Sequence, residues 1–364
     1  MKTLGIIGGG QLGRMLAIAA ARLNIRTVIL EPQPDCPAAQ TADRQIVAAY
    51  DDPAALDALA AASDVVTYEF ENVPLAAAEH LAASRPVYPP PLALDVAQDR
   101  LNEKIFINSC GIGTADFRTV DSDADLAAAL AAFGGSGVLK TRRLGYDGKG
   151  QRVFRGGEEV EGAHAALGAV PLILESFVAF EREISVIAAR GRDGTVACFD
   201  PAENVHRNGI LHTSTLPAGV GDDTAAAARR AAGAILEALD YVGVIGVEFF
   251  VRADGTLLVN EIAPRVHNSG HWTEAACAVS QFEQHVRAVM GLPLADGARH
   301  SDCVMQNLIG NDIDDLHAWL ATPATLVHLY GKAGARPGRK MGHVTRLTGP
   351  KSPAAAGGET APRG

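Results

Sequence analysis

Residues 246–262 read Gly246-Val-Glu248-Phe-Phe-Val-Arg-Ala-Asp254-Gly255-Thr-Leu-Leu-Val-Asn260-Glu261-Ile262. Two runs of β-branched, aliphatic and aromatic residues flank Asp254-Gly255, a dipeptide favoured in two-residue hairpin turns. In that register Ala253 pairs with Thr256, and counting outward sets Glu248 directly opposite Glu261. Like charges in an opposed pair are destabilising unless something neutralises them. Both glutamates lie among residues suited to a buried strand, so a bridging divalent cation resolves the conflict. Carboxylate oxygens suit Mg2+, which keeps waters and nucleotide phosphates as its remaining ligands. The competing reading is two exposed glutamates on an edge hairpin, and the apolar neighbours weigh against it.

Upstream, Lys140 ends a predicted strand over Gly137–Thr141. It is followed by Gly145-Tyr146-Asp147-Gly148-Lys149-Gly150-Gln151. A loop with three glycines presents backbone N–H groups to phosphate and can close over it. This is not a Walker loop, because no strand-loop-helix ends in Gly-Lys-Ser/Thr. Lys140 and Lys104 read either as phosphate contacts or as solvated surface charge, the usual fate of lysine. Paired with the acidic hairpin, the loop points to a nucleotide.

The N-terminal third has a different rhythm. A strand at Leu4-Gly5-Ile6-Ile7 meets Gly8-x-Gly10-x-x-Gly13, then a helix from about Gln11 to Leu23, then strands at Arg26–Leu30 and Asp64–Tyr68. Strands alternating with helices predict parallel β-α-β units. The glycine turn is read as a backbone pocket for phosphate at a helix N-terminus, with Glu31 available to a ribose hydroxyl and Arg14 facing the same anion. A nicotinamide-dependent dehydrogenase would explain these first residues but leaves the glutamate pair and the glycine loop without a purpose. Prolines 86, 89, 90 and 91 mark a boundary. Beyond it come a helix over Gln98–Cys110 and strands at Phe117–Val120, Leu172–Glu175, Glu183–Ala189 and Thr195–Phe199. A helix over Asp223–Leu239 precedes the hairpin, and short β-like segments fill 300–349.

Composition narrows the function classes. The chain has 364 residues and a formal charge of −10, from 32 basic and 42 acidic residues. No basic cluster is present to displace counterions from nucleic acid. The cysteines (Cys36, Cys110, Cys198, Cys277, Cys303) are scattered and odd in number, which argues for a reducing compartment over a disulfide framework. No run approaches the roughly 18 apolar residues a membrane helix needs, and no secretory signal is read. The expectation is a cytoplasmic protein with no membrane or nucleic-acid partner. A non-catalytic scaffold would have no use for opposed carboxylates.

Taken in order, these pieces resemble the ATP-grasp ligases, over roughly residues 1 to 350. Four stretches look specifically like the 5-(carboxyamino)imidazole ribonucleotide synthases. They are Gly8-Gly-Gly-Gln-Leu-Gly-Arg-Met15, Glu69-Phe-Glu-Asn-Val73, Gly145–Gln151 and Asn260-Glu-Ile-Ala-Pro-Arg-Val-His-Asn-Ser-Gly-His-Trp272; Gly338-Arg-Lys-Met-Gly-His343 also matches. The resemblance implies an α/β and α+β chain. Its parts are a parallel-sheet N-terminal (pre-ATP-grasp) domain over 1–98 and an ATP-grasp module of two α+β subdomains over 99–295, with a glycine-rich lid at about 115–178. A small β-rich C-terminal domain over 296–350 and a disordered tail over 351–364 complete it.

By the same resemblance, Arg100 and Lys140 contact ATP phosphates under the loop Gly145, Tyr146, Asp147, Gly148, Lys149, Gly150 and Gln151. Glu175, Ser176, Phe177 and Val178 read adenine through backbone groups, with Glu183 on the ribose and His206 nearby. Glu248 and Glu261 hold Mg2+ beside Asn260. Arg265, His267 and Lys340 face the substrate phosphate and bicarbonate. Gly10, Gln11, Leu12, Arg14, Asn268, Ser269 and His271 line the ribonucleotide site, and His267 or His271 moves protons. The implied reaction is ATP-dependent carboxylation of the amine of 5-aminoimidazole ribonucleotide by bicarbonate, through carboxyphosphate, in purine biosynthesis. A homodimer, and a hand-off to a carboxyaminoimidazole ribonucleotide mutase, also follow from the resemblance. A related ATP-grasp ligase, or a formate-dependent transformylase with another acceptor, is the alternative; it would differ at Gly8–Met15 and Asn260–Trp272.

Overall fold

The computed structural model describes residues 1–145 and 148–352. Tyr146, Asp147 and nearly all of the tail expected over 351–364 therefore lie outside the described residues. The N-terminal strands form a four-stranded parallel sheet in the order Arg44–Ile46, Arg26–Leu30, Thr3–Ile7, Val65–Tyr68. Val65–Tyr68 is buried throughout, as expected of a strand covered on both faces. Arg44–Ile46, too short and polar to stand out in the sequence, supplies the edge. Helix Gln11–Arg22 turns Leu12, Met15, Leu16, Ala19 and Ala20 inward. Its core is not private to this sheet: Leu4, Ile6 and Leu16 share an apolar cluster with Ile187, Phe282, Val286 and Met305. That shared cluster fixes the N-terminal layer against the rest of the molecule.

A second, antiparallel sheet runs Phe117–Val120, Leu172–Ser176, Gly137–Thr141, Gln151–Phe154. It closes over its own core of Val120, Leu126, Leu130, Leu139, Phe154, Leu172 and Leu174. The glycine-rich segment is thus the connection of a hairpin between Gly137–Thr141 and Gln151–Phe154.

The remaining strands build one nine-stranded sheet. Its main path is Leu257–Ala263, Gly243–Val251, Arg182–Arg190, Ala202–Arg207, Ile210–Leu216, Ser301–Ile309, Lys340–Pro350, Thr325–Leu329, with Val196–Cys198 added on Arg182–Arg190. The C-terminal strands are therefore continuous with the ATP-grasp-like portion, joined where Leu216 faces Cys303. At 9 and 11 residues, Ser301–Ile309 and Lys340–Pro350 are longer than the short segments their Gly and Pro content suggested. No helix among the described residues is long and apolar enough to cross a membrane.

The hairpin over residues 246–262 forms with Glu248 opposite Glu261, as the strand spacing predicts. It gets there by two offsets that cancel. Near the turn the pairs are Val251 with Leu257 and Phe250 with Leu258, one step out of the expected register. The Gly255 N–H bonds to the Arg252 carbonyl, and Gly255 takes φ +79°, so the loop holds three residues, not two. A bulge between Glu248 and Phe249 then absorbs Asn260 as the extra residue and restores the pair.

Candidate active site

The three sheets converge on one cleft of about 560 Å3. Its walls include Gln11 and Leu12 from the first helix, Lys140 and Gly145 from the lid, Glu248, Asn260 and Glu261 from the hairpin, and Lys340 from the C-terminal strand. The bulge explains why Asn260 and Glu261, adjacent in sequence, both reach it. Burial, and then the opposed Glu261 carboxylate, push the Glu248 carboxyl up to about 7. Burial would raise Glu261 too, but Arg100 and Lys140 hold it below the usual carboxylate range. Asn260 Oδ1 is buried without a hydrogen-bond partner. Two carboxylates driven apart in titration, beside an orphaned amide oxygen, form a hard all-oxygen donor set that fits Mg2+.

Opposite this acidic wall stands a cationic one. Asp99 caps helix Arg100–Ser109, accepting from the Leu101 N–H, so Arg100 sits at its first position. Arg100 Nη1 donates to Glu261 Oε2 at 3.1 Å. Glu103, one turn on, accepts from the Ile262 N–H at 2.7 Å and ties the helix to the hairpin. Lys140 and Lys104 both pair with Glu175, at 2.9 and 3.3 Å. Lys104 is 1% exposed, so it is no solvated surface charge. Burial opposes ionisation of Glu175, but the two ammonium groups hold it down at about 2. Glu183 Oε2 meets His206 Nδ1 at 2.8 Å.

Arg265 is held by Glu71, whose carboxylate accepts from the guanidinium Nε. Burial would raise Glu71, yet Arg265 overrides it and keeps the carboxyl at about 2. His267 lies 3.7 Å from Glu248 Oε1, and burial with the neighbouring Arg265 lowers its imidazole to about 3, so the ring is neutral. Its Nδ1 faces Ser269 Oγ at 2.9 Å and accepts from the Ser269 N–H at 3.4 Å, leaving Nε2–H on the Glu248 side. The Asn268 and Asn307 amides exchange hydrogen bonds of 2.9 and 2.8 Å, which locks Asn268 on the cleft wall.

The glycine turn is not the phosphate pocket its spacing suggested. The N–H groups of Gly10 and Gly13 are both taken by the Glu69 carboxylate, and that of Gly9 by Glu31 Oε2 at 2.9 Å. Glu31 also accepts from Tyr50 Oη at 2.5 Å, so its carboxylate is already engaged. Gly8 adopts φ +105°, a region closed to most side chains, and a Cβ at Gly13 would stand 2.9 Å from the Gly8 carbonyl. These glycines let two internal carboxylates cap the helix.

Comparison with known proteins decides the family. Three family models match in sequence order: a ribonucleotide synthetase preATP-grasp domain over residues 1–98, an ATP-grasp domain over 105–282, and a phosphoribosylaminoimidazole carboxylase C-terminal domain over 303–355. The N5-carboxyaminoimidazole ribonucleotide synthase of Brucella melitensis is 65% identical over 347 residues, covering 95% of this chain and 96% of that protein. The chain belongs to the N5-carboxyaminoimidazole ribonucleotide synthase family. A solved ADP complex of such a synthetase, 43% identical, superposes with a TM-score of 0.93 over 95% of this chain and 92% of that one. The Aspergillus clavatus synthase in complex with ADP and 5-aminoimidazole ribonucleotide does so at 32% identity and 0.88, covering 96% and 94%. The fold is that of an ATP-grasp carbon–nitrogen ligase.

Of the residues that family resemblance singled out, the cleft gathers Gln11, Leu12, Arg100, Lys140, Gly145, Gly148, Lys149, Gln151, Glu183, His206, Glu248, Asn260, Glu261, Arg265, His267, Asn268 and Lys340. Others lie off its lining. Arg14 faces away, its Nη1 on Gln40 Oε1 at 2.8 Å, because one turn of helix swings it towards Pro37–Gln40. Ser269 is fully buried, its hydroxyl accepting from Ser185 at 2.7 Å. His271 is 1% exposed and packed against Phe282 and His343, which removes it from proton transfer in the cleft. Gly10 and Gly150 are absent from the lining, as are Glu175, Ser176, Phe177 and Val178, although this last segment leads into Phe180, which does line it. Phe180 stacks on Phe250 with ring centroids 4.6 Å apart, and the two offer an apolar slot that sequence reading missed. Glu71 and Glu103 were also missed. The acidic Glu69-x-Glu71 pair at the C-terminal end of a parallel strand was the available signal, since such ends border binding crevices.

Proposed function

We propose that this chain carboxylates the exocyclic amine of 5-aminoimidazole ribonucleotide with bicarbonate, at the expense of ATP, and releases N5-carboxyaminoimidazole ribonucleotide, ADP and phosphate. The observation that carries this reading is the cleft itself, where an opposed glutamate pair with an orphaned amide oxygen faces a row of buried cations. Bicarbonate is a poor electrophile, and converting it to carboxyphosphate supplies a leaving group that amine attack expels as phosphate. Glu248 and Glu261, with Asn260 beside them, would hold Mg2+, which offsets charge on the nucleotide phosphates. Lys140, fixed by Glu175, and Arg100, fixed by Glu261, stabilise the transferring phosphoryl group without reorganising.

Arg265 and Lys340 take the anionic acceptor side, with Arg265 aimed by Glu71. Gln11, Leu12 and Asn268 form the wall that seats the ribonucleotide. His267, neutral and held at Nδ1, presents Nε2–H as a donor to developing charge. Gly145, Gly148, Lys149 and Gln151 border the nucleotide side, where exclusion of water would protect the labile intermediate. Glu175–Val178, leading to Phe180, is read as the adenine segment, with Glu183 on the ribose and His206 next to it. The reading also takes 1–98, 99–295 and 296–350 as domains of a cytoplasmic homodimer that passes its carbamate to a mutase, all on the strength of the family resemblance.

The test is ADP release with MgATP, with and without the ribonucleotide and bicarbonate. Turnover that needs the ribonucleotide supports the reading; ATP hydrolysis indifferent to it would transfer the chain to another acceptor.

A further inference from the structure

A second cluster of metal-ligating side chains stands apart from the cleft. His328 and His343 are directly opposed in the ladder between Thr325–Leu329 and Lys340–Pro350. Glu274, on the short helix Thr273–Ala276, reaches them from the end of the Asn260–Trp272 segment. None of the three lines the cleft. Glu274 Oε2 lies 3.3 Å from His328 Nδ1 and 3.4 Å from His343 Nε2, and the three donor atoms fall within 4.8 Å of one another.

These separations are long for hydrogen bonds and apt for ligands sharing an ion. A charge-assisted N–H···O contact closes to about 2.7–2.9 Å. Two ligands each about 2.0–2.1 Å from a tetrahedral ion stand roughly 3.4 Å apart. Glu274 Oε2 is buried and makes no hydrogen bond of good geometry, facing the two imidazole nitrogens at ion-pair distance instead. His343 Nδ1 lies 2.9 Å from the fully buried Tyr330 hydroxyl. The hydroxyl can accept from Nδ1–H, and in that tautomer the Nε2 lone pair faces Glu274, as an outer partner does for a ligating histidine. Glu274 and His328 are both partly exposed, so solvent can reach the site to supply a further ligand.

We propose that Glu274, His328 and His343 bind a divalent transition-metal ion, Zn2+ by the chemistry of the donors, which pins the C-terminal hairpin carrying Lys340 to the end of the Asn260–Trp272 segment. The test uses the full-length chain, stripped with chelator and titrated with Co2+ in the absence of nucleotide. One Co2+ per chain is expected, with the intense visible absorption of a four-coordinate ion, displaced by Zn2+, and with a Tm that rises on loading. His328→Ala and Glu274→Gln should each abolish the absorption band. Tyr330→Phe should weaken binding by about 10- to 100-fold, as losses of outer partners do. Glu248→Gln, in the cleft, should retain the band. Folding of each variant is checked by its own unfolding transition, and Glu274→Gln, which keeps the side-chain shape, is the variant least burdened by packing loss. No four-coordinate band in the wild-type chain, or a band that survives in both His328→Ala and Glu274→Gln, would overturn the proposal.

Discussion

Glu71→Gln separates the electrostatic role of Glu71 from its shape. The substitution keeps an acceptor for the Arg265 guanidinium and removes the charge. Holding a carboxyl at about 2 rather than its usual 4.5 corresponds to at most about 3 kcal/mol of stability. The side chains are 29% and 16% exposed, so solvent screening brings the expected loss to about 1–2 kcal/mol. The sign follows from the direction of the shift. A depressed carboxyl contributes fully above its unfolded value and loses that contribution as pH falls towards the folded one. Urea unfolding should therefore show the variant weaker by about 1–2 kcal/mol at pH 7, with the gap narrowing progressively as pH falls from about 5 towards 2. Replacing a charge-assisted bond by a neutral one at Arg265 should also raise KM for the ribonucleotide by roughly tenfold, with KM for ATP nearly unchanged. A stability gap independent of pH, together with unaltered ribonucleotide KM, would refute the assignment of Glu71 as the residue that aims Arg265.

Other perturbations follow from the same geometry. Glu248→Gln should lower turnover by at least about 100-fold while leaving urea stability unchanged or raised by up to about 1 kcal/mol, because it relieves an opposed like-charge pair; steady-state ADP release and unfolding curves read both. Glu175→Gln removes the ion-pair partner that the buried Lys104 and Lys140 share and should destabilise by about 3–5 kcal/mol, measured by urea midpoint. Glu69→Ala strips the acceptor from the Gly10 and Gly13 N–H groups and should lower stability by about 2–4 kcal/mol in thermal unfolding.

Legibility in the sequence tracked locality. The Glu248–Glu261 pair could be counted because strand period and turn position are properties of one contiguous segment. Even there, the three-residue loop and the Asn260 bulge were invisible singly and showed no error only because they cancel. The parallel sheet was readable from buried strands such as Ile6-Ile7 and Val65-Val66, whereas Arg44–Ile46 had too little apolar pattern to announce itself. Contacts between distant segments lay beyond reach. Nothing in spacing says that Glu69 will cap the turn it follows by some sixty residues, or that Glu71 will clamp Arg265. The same limit misplaced Arg14 and His271: both sit inside recognisable motifs, but a helix turn directs one outward and a packed histidine cluster buries the other.

Coupling of ATP cleavage to carboxylation of the ribonucleotide amine in this cleft can be observed in one experiment. The most direct measurement supplies 13C-bicarbonate with MgATP and 5-aminoimidazole ribonucleotide and follows the label by NMR. Coupled turnover should give a carbamate resonance that grows in step with ADP and requires all three substrates. ADP formation without labelled carbamate, or label incorporation without ATP, would contradict it.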